Sequence, residues 1–350
     1  MVDYEKFSPV SENVNQFINL VNEQLGNTWE SWHWLYSNLA NEKSKYLLLN
    51  VLAYRIIGWK LVKLPLDSIA FWQMMGYLRS LEKTKTRADI ISTGFYDLCL
   101  IPFDLTEFGY PVKVYSDAFG VFNEFIYSQY KFRDGDQEPK AGEWVIDCGA
   151  CFGGTSLYFA NKVGSDGGVL SFEFMQDNVN VFLKNIENNP DLKSRIHLVR
   201  SPVFSNNGQI MVIEGSGPAT QVHPVGSGLL MYATVAAHWV KSKISKIPIT
   251  FVKSTTIDAE VKKRAISKVS LIKMDIEGSE YSALRGALNT IRRFKPILAI
   301  CVYHRLIDFY EVPQLIDSLN LGYKFYLQHS TVHGDETVIF GIPPGELSLH

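Results

Sequence analysis

The chain has 350 residues, 46% of them hydrophobic and 20% charged, the balance of a folded protein and not of a disordered one. Its 34 Lys and Arg against 36 Asp and Glu leave a net charge of −2, which provides no polyanion-binding surface and speaks against a nucleic-acid substrate. Four cysteines (Cys99, Cys148, Cys151 and Cys301) are too few for a disulfide framework and fit a reducing compartment.

At about 100–200 residues per domain, the length allows two domains or one α/β domain with a large extension. The N-terminal MVDYEKFSPV has neither the basic nor the apolar region of a signal peptide. The greasiest stretch, 46–66, is interrupted by Arg55, Lys60, Lys63 and Pro65. It therefore reads as a buried amphipathic helix and not as a membrane span. A cytoplasmic protein is expected.

The first third reads as helical. Val14, Phe17, Ile18, Val21 and Leu25 follow a 3.6-residue rhythm. Trp29, Trp32, Trp34, Leu35 and Leu39 follow, then a helix over 46–59 in a run ended by Pro65, then one over 71–81. The aromatic residues here read first as a helical core, and second as a cap over a site or a dimer surface. After Thr86, short apolar runs between Gly, Pro and Asp suggest strands and turns, and 118–130 looks helical again.

From Glu143 the rhythm becomes strand, loop, helix. Strands are expected over 144–147, 168–174, 196–203, 271–275, 297–302, 323–328 and 337–340, with helices over 155–162, 177–188, 279–294 and 312–319. Such alternation implies a mostly parallel sheet with helices on both faces. The Gly/Ser-rich stretch 208–248 reads as an inserted surface loop or lid.

The most informative segment is WVIDCGACFGGTS (144–156). A strand ends at Asp147, glycines 149, 153 and 154 punctuate a turn, and a helix follows. Glycines there let backbone approach a ligand. The loop is G-x-x-x-G-G and not the dinucleotide pattern, and a carboxylate directly before it would repel a pyrophosphate but suit the amino group of a methionyl moiety. In VLSFEF (169–174) Glu173 stands at the next strand tip, where an acidic residue can hold a ribose diol. Together these suggest S-adenosylmethionine; the bland alternative is an ordinary loop. Cys148-Gly-Ala-Cys151 also permits a thioredoxin-like redox site, which would leave Asp147 and the further glycines unexplained.

VSLIKMDIEGSEY (269–281) delivers Asp275 to a third strand tip. Glu277 and Glu280 follow at a helix start, where capping explains them as well as function does. In ILAICVYH (297–304) His304 ends the next strand. If the two strands are neighbours, His304 is a candidate general base, or Asp275 and His304 hold a divalent cation that acidifies a hydroxyl; a structural histidine is the alternative. His329, closing YKFYLQH, is a weaker candidate of the same kind.

These segments, with SFEFMQDNVNVFLKNIENN, LIKMDIEGSEYSALRGA and PILAICVYHRLIDFYEVPQLI, resemble the FkbM-type methyltransferases of the class I S-adenosylmethionine-dependent superfamily over about 143–343. YRIIGWKLVKLPL and YSDAFGVFNEFIYSQY are similar to the N-terminal extension of some members. The resemblance implies a Rossmann-like α/β fold with a seven-stranded, mostly parallel sheet whose last strand is antiparallel. It implies a mainly helical extension or cap over 1–115 and a methyltransferase domain over 116–350. It implies O-methylation of a sugar, glycan or natural-product hydroxyl. Asp147, Gly149, Gly153 and Thr155 would line the methionine end of the cofactor, Glu173 would bind the ribose, and Met175 would lie beside adenine. Asp275 and His304 are the expected catalytic pair, with a divalent metal an option. Many members carry Asn where Cys151 stands and Asp where Gly154 stands, so this loop lacks two polar side chains. A small-molecule or glycan acceptor, no membrane span and compatibility with a homo-oligomer complete the expectation. The rival readings are a NAD-type oxidoreductase and a non-catalytic cofactor-binding subunit.

Overall fold

The hydrophobic runs after residue 143 assemble into one seven-stranded sheet. The structure, a computed structural model, describes residues 26–86, 89–93, 98–214, 220–225 and 250–345. The helix expected over 14–25 lies outside them.

The front of the chain forms helices α1 (Trp29–Asn38), α2 (Glu42–Ile57) and α3 (Ile69–Glu82). Asn41 and Ser68 cap α2 and α3 by accepting from the Ser44 and Phe71 amides, the side-chain capping that a helix start needs. Helix α2 stops at Gly58, whose φ is 83°, well before Pro65. The helix thus ends within two residues of the expected 59, at a glycine whose positive φ turns the chain out of it. Strands β1 (Ile91–Ser92), β2 (Cys99–Asp104) and β3 (Lys113–Ser116) make a small antiparallel sheet. The helix expected over 118–130 is shorter: α4 (Ala118–Val121) passes into a π-helical turn, Phe122–Ile126.

Then come β4 (Trp144–Cys148), α5 (Gly154–Val163), β5 (Gly168–Phe172), α6 (Gln176–Glu187), α7 (Pro190–Lys193) and β6 (Ile196–Val199). The expected inserted loop contains strands instead: β7 (Ile210–Glu214), β8 (Gln221–Pro224) and β9 (Thr250–Lys253) pair antiparallel in the order β8-β7-β9. Of the expected loop 208–248, residues 215–219 and 226–248 lie outside the described residues, and β9 begins just after it. The chain closes with α8 (Ile257–Lys263), β10 (Leu271–Met274), α9 (Glu280–Arg285), α10 (Leu288–Phe294), β11 (Ile297–Cys301), α11 (Asp308–Asp317), β12 (Lys324–His329) and β13 (Thr337–Ile342). The single helix expected over 279–294 breaks at Gly286. A side chain there would meet the Phe204 carbonyl at 2.2 Å, so the break admits a close backbone approach that no periodicity announces.

The large sheet runs β12-β13-β11-β10-β4-β5-β6. β10 pairs parallel with β4 and β11, β4 with β5, and β5 with β6, whereas β13 is antiparallel to both β11 and β12. This is the expected class I methyltransferase architecture, with the antiparallel last strand wedged between two others. Strand residues alternate between two cores. Ile146, Ile272 and Leu298 face one, with Trp32, Leu35, Val51 and Phe325. Val145, Leu271 and Ala299 face the other, with Phe71, Met75, Val114, Phe125 and Phe159. The front segment thus covers both faces, each large side chain contributing roughly 1.5–3 kcal/mol on burial. Its aromatic residues divide: Trp32 and Phe71 are core, whereas Trp29, Tyr46 and Trp59 are exposed. Polar ties reach further. Ser44 Oγ accepts from the Leu327 amide at 3.0 Å, and Arg55 Nη2 donates to the carbonyls of Tyr303 and Gly334, both at 2.8 Å. Among the described residues no helix is long and apolar enough to cross a membrane.

Candidate active site

β4 and β10 are neighbours at the middle of the sheet, and the chain leaves them in opposite directions across it. Ligands of open α/β sheets bind outside the carboxyl ends of strands at such a reversal. The two strand ends touch here. The Asp275 amide donates to the Cys148 carbonyl at 3.1 Å. A Cβ on Gly149, whose φ is +80°, would lie 1.8 Å from the Asp275 carbonyl oxygen. Only glycine fits that contact.

Beside it opens a cavity lined by Gly149, Cys151, Glu173, Met175, Asp275 and Glu277, with Thr220 and Val222 from the insertion. Three tips of neighbouring strands therefore meet around one space, and part of the insertion borders it.

The expected site residues fall into two groups. Gly149, Glu173, Met175 and Asp275 line the cavity. Asp147, Gly153 and Thr155 stand behind the loop. Asp147 is fully buried. Its Oδ2 accepts from Thr155 Oγ1 at 2.8 Å and Ser156 Oγ at 2.6 Å, and its Oδ1 is 3.2 Å from Lys273 Nζ. Gly153 has φ +88°, and a Cβ on it would strike the Phe182 ring at 2.8 Å. These three shape the turn from beneath.

Lys273 is the residue that motif reading missed, hidden inside a strand that looks simply apolar. Its Nζ donates to the carbonyls of Cys148 at 3.2 Å and Gly149 at 2.7 Å. Burial alone would lower the ammonium, but Asp147 and then Asp275 outweigh it and hold the pKa above its ordinary value. One buried cation thus fastens the glycine loop to the β10 tip.

Glu173 serves the backbone as well as the cavity. Its Oε1 accepts from the amides of Phe174 at 2.7 Å and Met175 at 2.8 Å, and its Oε2 from Asn178 at 3.2 Å. Burial raises its pKa, and these donors offset part of the rise.

Asp275 accepts from Tyr130 Oη at 2.9 Å and from Tyr303 Oη at 3.0 Å. Burial would raise its carboxyl, but Lys273, His304 and the two phenols bring it below the usual range. Tyr303 Oη also lies 3.3 Å from Glu336 Oε1. One phenolic proton serves one acceptor at a time, and burial followed by the Asp275 charge pushes Glu336 well up.

His304 is 3.4 Å from Asp275 Oδ1 through Nε2, with Glu277 Oε1 at 3.7 Å on the same side and Glu280 Oε1 2.9 Å from Nδ1. β10 and β11 are neighbours, as the pairing of Asp275 with His304 requires. Burial would lower the imidazole, but Glu280, Glu277 and Asp275 raise it well above its ordinary value. The three carboxylates thus favour the charged form of the ring. Glu280 also caps the turn, accepting from the Ile276 amide at 2.8 Å; the capping reading of Glu280 holds together with its contact to His304. His329 lies elsewhere, its Nδ1 2.9 Å from Thr337 Oγ1, and burial lowers it to about 4.

The redox reading of Cys148 and Cys151 meets the wrong electrostatics. Burial, then Asp147, raises Cys148, and burial, then Glu173, raises Cys151. Reactive thiols need the opposite environment.

Glu124, from the π-helical turn, was not legible as a site residue. A Cβ on Gly154 would sit 1.8 Å from Glu124 Oε2, so this carboxylate fills the room that a side chain at 154 would take. Burial lifts it to about 8.

The profile of the Methyltransferase FkbM domain family matches residues 147–325. Among solved structures, the chain is similar to a methyltransferase FkbM from Methylobacillus flagellatus KT, with 18% identity and a TM-score of 0.55 over 92% of this chain and 60% of that one. The chain thus spans about three fifths of that protein's length, and at this identity the likeness is one of fold. A weaker likeness links it to an O-methyltransferase from Bacillus cereus in complex with SAH, with 10% identity and a TM-score of 0.35 over 65% of this chain and 91% of that one. No curated protein sequence matches the chain.

Proposed function

The chain belongs to the FkbM methyltransferase family, and on that premise we propose that it transfers the methyl group of S-adenosylmethionine to a hydroxyl oxygen of a sugar, glycan or natural product. The observation that carries the reading is the single cavity bordered by Gly149, Glu173 and Asp275. Carboxylates at two strand tips, around a turn whose backbone approaches the cavity, suit a ligand with a ribose diol and a positive charge. Glu173 would take the ribose, Met175 the adenine, and the Gly149 backbone the methionyl end. Asp147, Gly153, Thr155 and Lys273 would keep that turn in shape.

The transferred methyl already sits on a good leaving group, so alignment supplies much of the rate. The acceptor oxygen attacks the methyl carbon, the new C–O bond forms as the C–S bond breaks, and the electron pair stays on sulfur, leaving S-adenosylhomocysteine. The hydroxyl proton becomes strongly acidic as the bond forms. The Asp275 carboxylate, held by two phenols, would orient the hydroxyl and receive that proton.

Calorimetry with S-adenosylhomocysteine and NADH, followed by transfer of labelled methyl into glycan and natural-product fractions, tests the reading. Saturable binding of the nucleoside with labelled product upholds it. NADH binding alone would turn it toward an oxidoreductase, and nucleoside binding without transfer toward a partner subunit.

A further inference from the structure

We propose that Asp275, Glu277 and His304 hold a divalent cation at the edge of the cavity, with Glu280 fixing the histidine from behind. The use made of the cation rests on the methyltransferase reading, since it would bind the acceptor hydroxyl there; its binding does not.

The ligand atoms already face one another. His304 Nε2 stands 3.4 Å from Asp275 Oδ1 and 3.7 Å from Glu277 Oε1, and one atom each of Asp275, Glu280 and His304 lie within 4.8 Å of one another. Ligands about 2.0–2.2 Å from a common ion stand about 3 Å apart, and the His304–Asp275 and His304–Glu277 pairs are already close to that spacing. The His304 side chain is 8% exposed, and neither of its ring nitrogens makes a hydrogen bond of good geometry. A buried ring with carboxylates against both of its nitrogens is an arrangement that suits a metal ligand and its supporting group.

The surroundings fit the same purpose. Glu280 Oε1, 2.9 Å from Nδ1, would accept the Nδ1–H hydrogen bond and keep the proton there, so that the cation displaces the Nε2 proton and takes the Nε2 lone pair. Carboxylates behind metal-bound histidines do this regularly. Tyr130 and Tyr303 hold the Asp275 carboxylate in one orientation. Asp275 and Glu277 keep side-chain exposures of 21% and 29% and line the cavity, so further coordination positions open toward a bound hydroxyl and solvent. One imidazole with two carboxylates favours a first-row divalent ion such as Mn²⁺ over Ca²⁺.

Titration of the purified chain with Mn²⁺, followed by the electron-paramagnetic resonance of the free ion, tests this, with S-adenosylhomocysteine calorimetry on the same samples. One equivalent of Mn²⁺ taken up saturably is expected. His304→Ala and Glu277→Gln should each weaken uptake at least tenfold, and in His304→Ala nucleoside binding should stay within about threefold. Glu280→Gln should weaken it by about 10–100-fold, as removal of such supporting groups does. Absence of saturable uptake in a chain that binds the nucleoside overturns the proposal and leaves His304 as an ion-paired imidazolium only. Uptake unchanged in both His304→Ala and Glu277→Gln overturns it too, since the ion would then bind elsewhere. Loss of nucleoside binding in the parent chain bears on the methyltransferase reading and not on the cation.

Discussion

Lys273 Nζ stands 3.2 Å from Asp147 Oδ1, and both side chains are almost completely buried. Desolvating two charges is expensive, so the pair persists only because each partner is held by further polar contacts. Removing one partner strands the other. Lys273→Met should therefore lower unfolding free energy by about 3–5 kcal/mol, read as a shift of the urea midpoint at unchanged slope. A loss under 1 kcal/mol would mean that water reaches the pair.

Gly149 offers a paired comparison. Alanine there must adopt φ +80° and drive a methyl into the Asp275 carbonyl. Gly109 has φ +85° with nothing near, so alanine there meets conformational strain alone, about 1 kcal/mol. Gly149→Ala should destabilise at least twice as much and abolish nucleoside binding, whereas Gly109→Ala should bind normally. Calorimetry and urea unfolding check both.

In the methyltransferase reading Asp275 faces the sulfonium charge and the acceptor proton, whereas Glu173 and the Gly149 backbone hold the nucleoside. Asp275→Asn should cut methyl transfer at least about 100-fold, the ordinary worth of a proton-accepting group, and leave S-adenosylhomocysteine affinity within a few-fold. His304→Ala should likewise remove turnover and spare cofactor binding. Transfer at the parent rate in either variant would contradict its role.

Burial lifts Glu124 to about 8 in the folded chain, above its ordinary value. A carboxyl whose folded pKa is raised stabilises fully below its unfolded pKa, and that contribution is lost as pH rises through the folded value. Stability should therefore fall between pH 4.5 and about 8, and Glu124→Gln should flatten that slope. Asp308, raised by burial to about 7, leaves a residual slope in the variant. Urea midpoints at pH 5.5 and 8.5 measure the difference; equal slopes in parent and variant would refute the assignment.

Cys99 is exposed, whereas Cys148 and Cys301 are buried. Iodoacetamide should modify Cys99 first, and Cys148 and Cys301 only on unfolding, as followed by peptide mass spectrometry. Mild oxidant should leave nucleoside binding unchanged. Rapid formation of a Cys148–Cys151 disulfide would revive the redox reading.

The sheet was readable because its strands are short apolar runs with acids or glycines at their ends: Asp147, Glu173 and Asp275 announce three tips. What escaped was set by contacts distant in sequence. Lys273 sits in a strand of otherwise apolar residues, and only Asp147, 126 residues earlier, explains it. Glu124 matters because Gly154 leaves it room. Tyr130 matters because its hydroxyl reaches Asp275, 145 residues on. The break at Gly286 serves the Phe204 carbonyl, and no local pattern encodes that neighbour. The loop expected over 208–248 hid strands because its composition is polar and its strands short.

Arg55 grips the carbonyls of Tyr303 and Gly334 from a helix near the other end of the chain. One of those carbonyls belongs to the residue whose hydroxyl steadies Asp275, and the other lies two residues from Glu336. The opening helices therefore act as a brace for the catalytic edge. A shortened protein beginning at residue 116 would keep all seven strands of the large sheet and still let that edge wander.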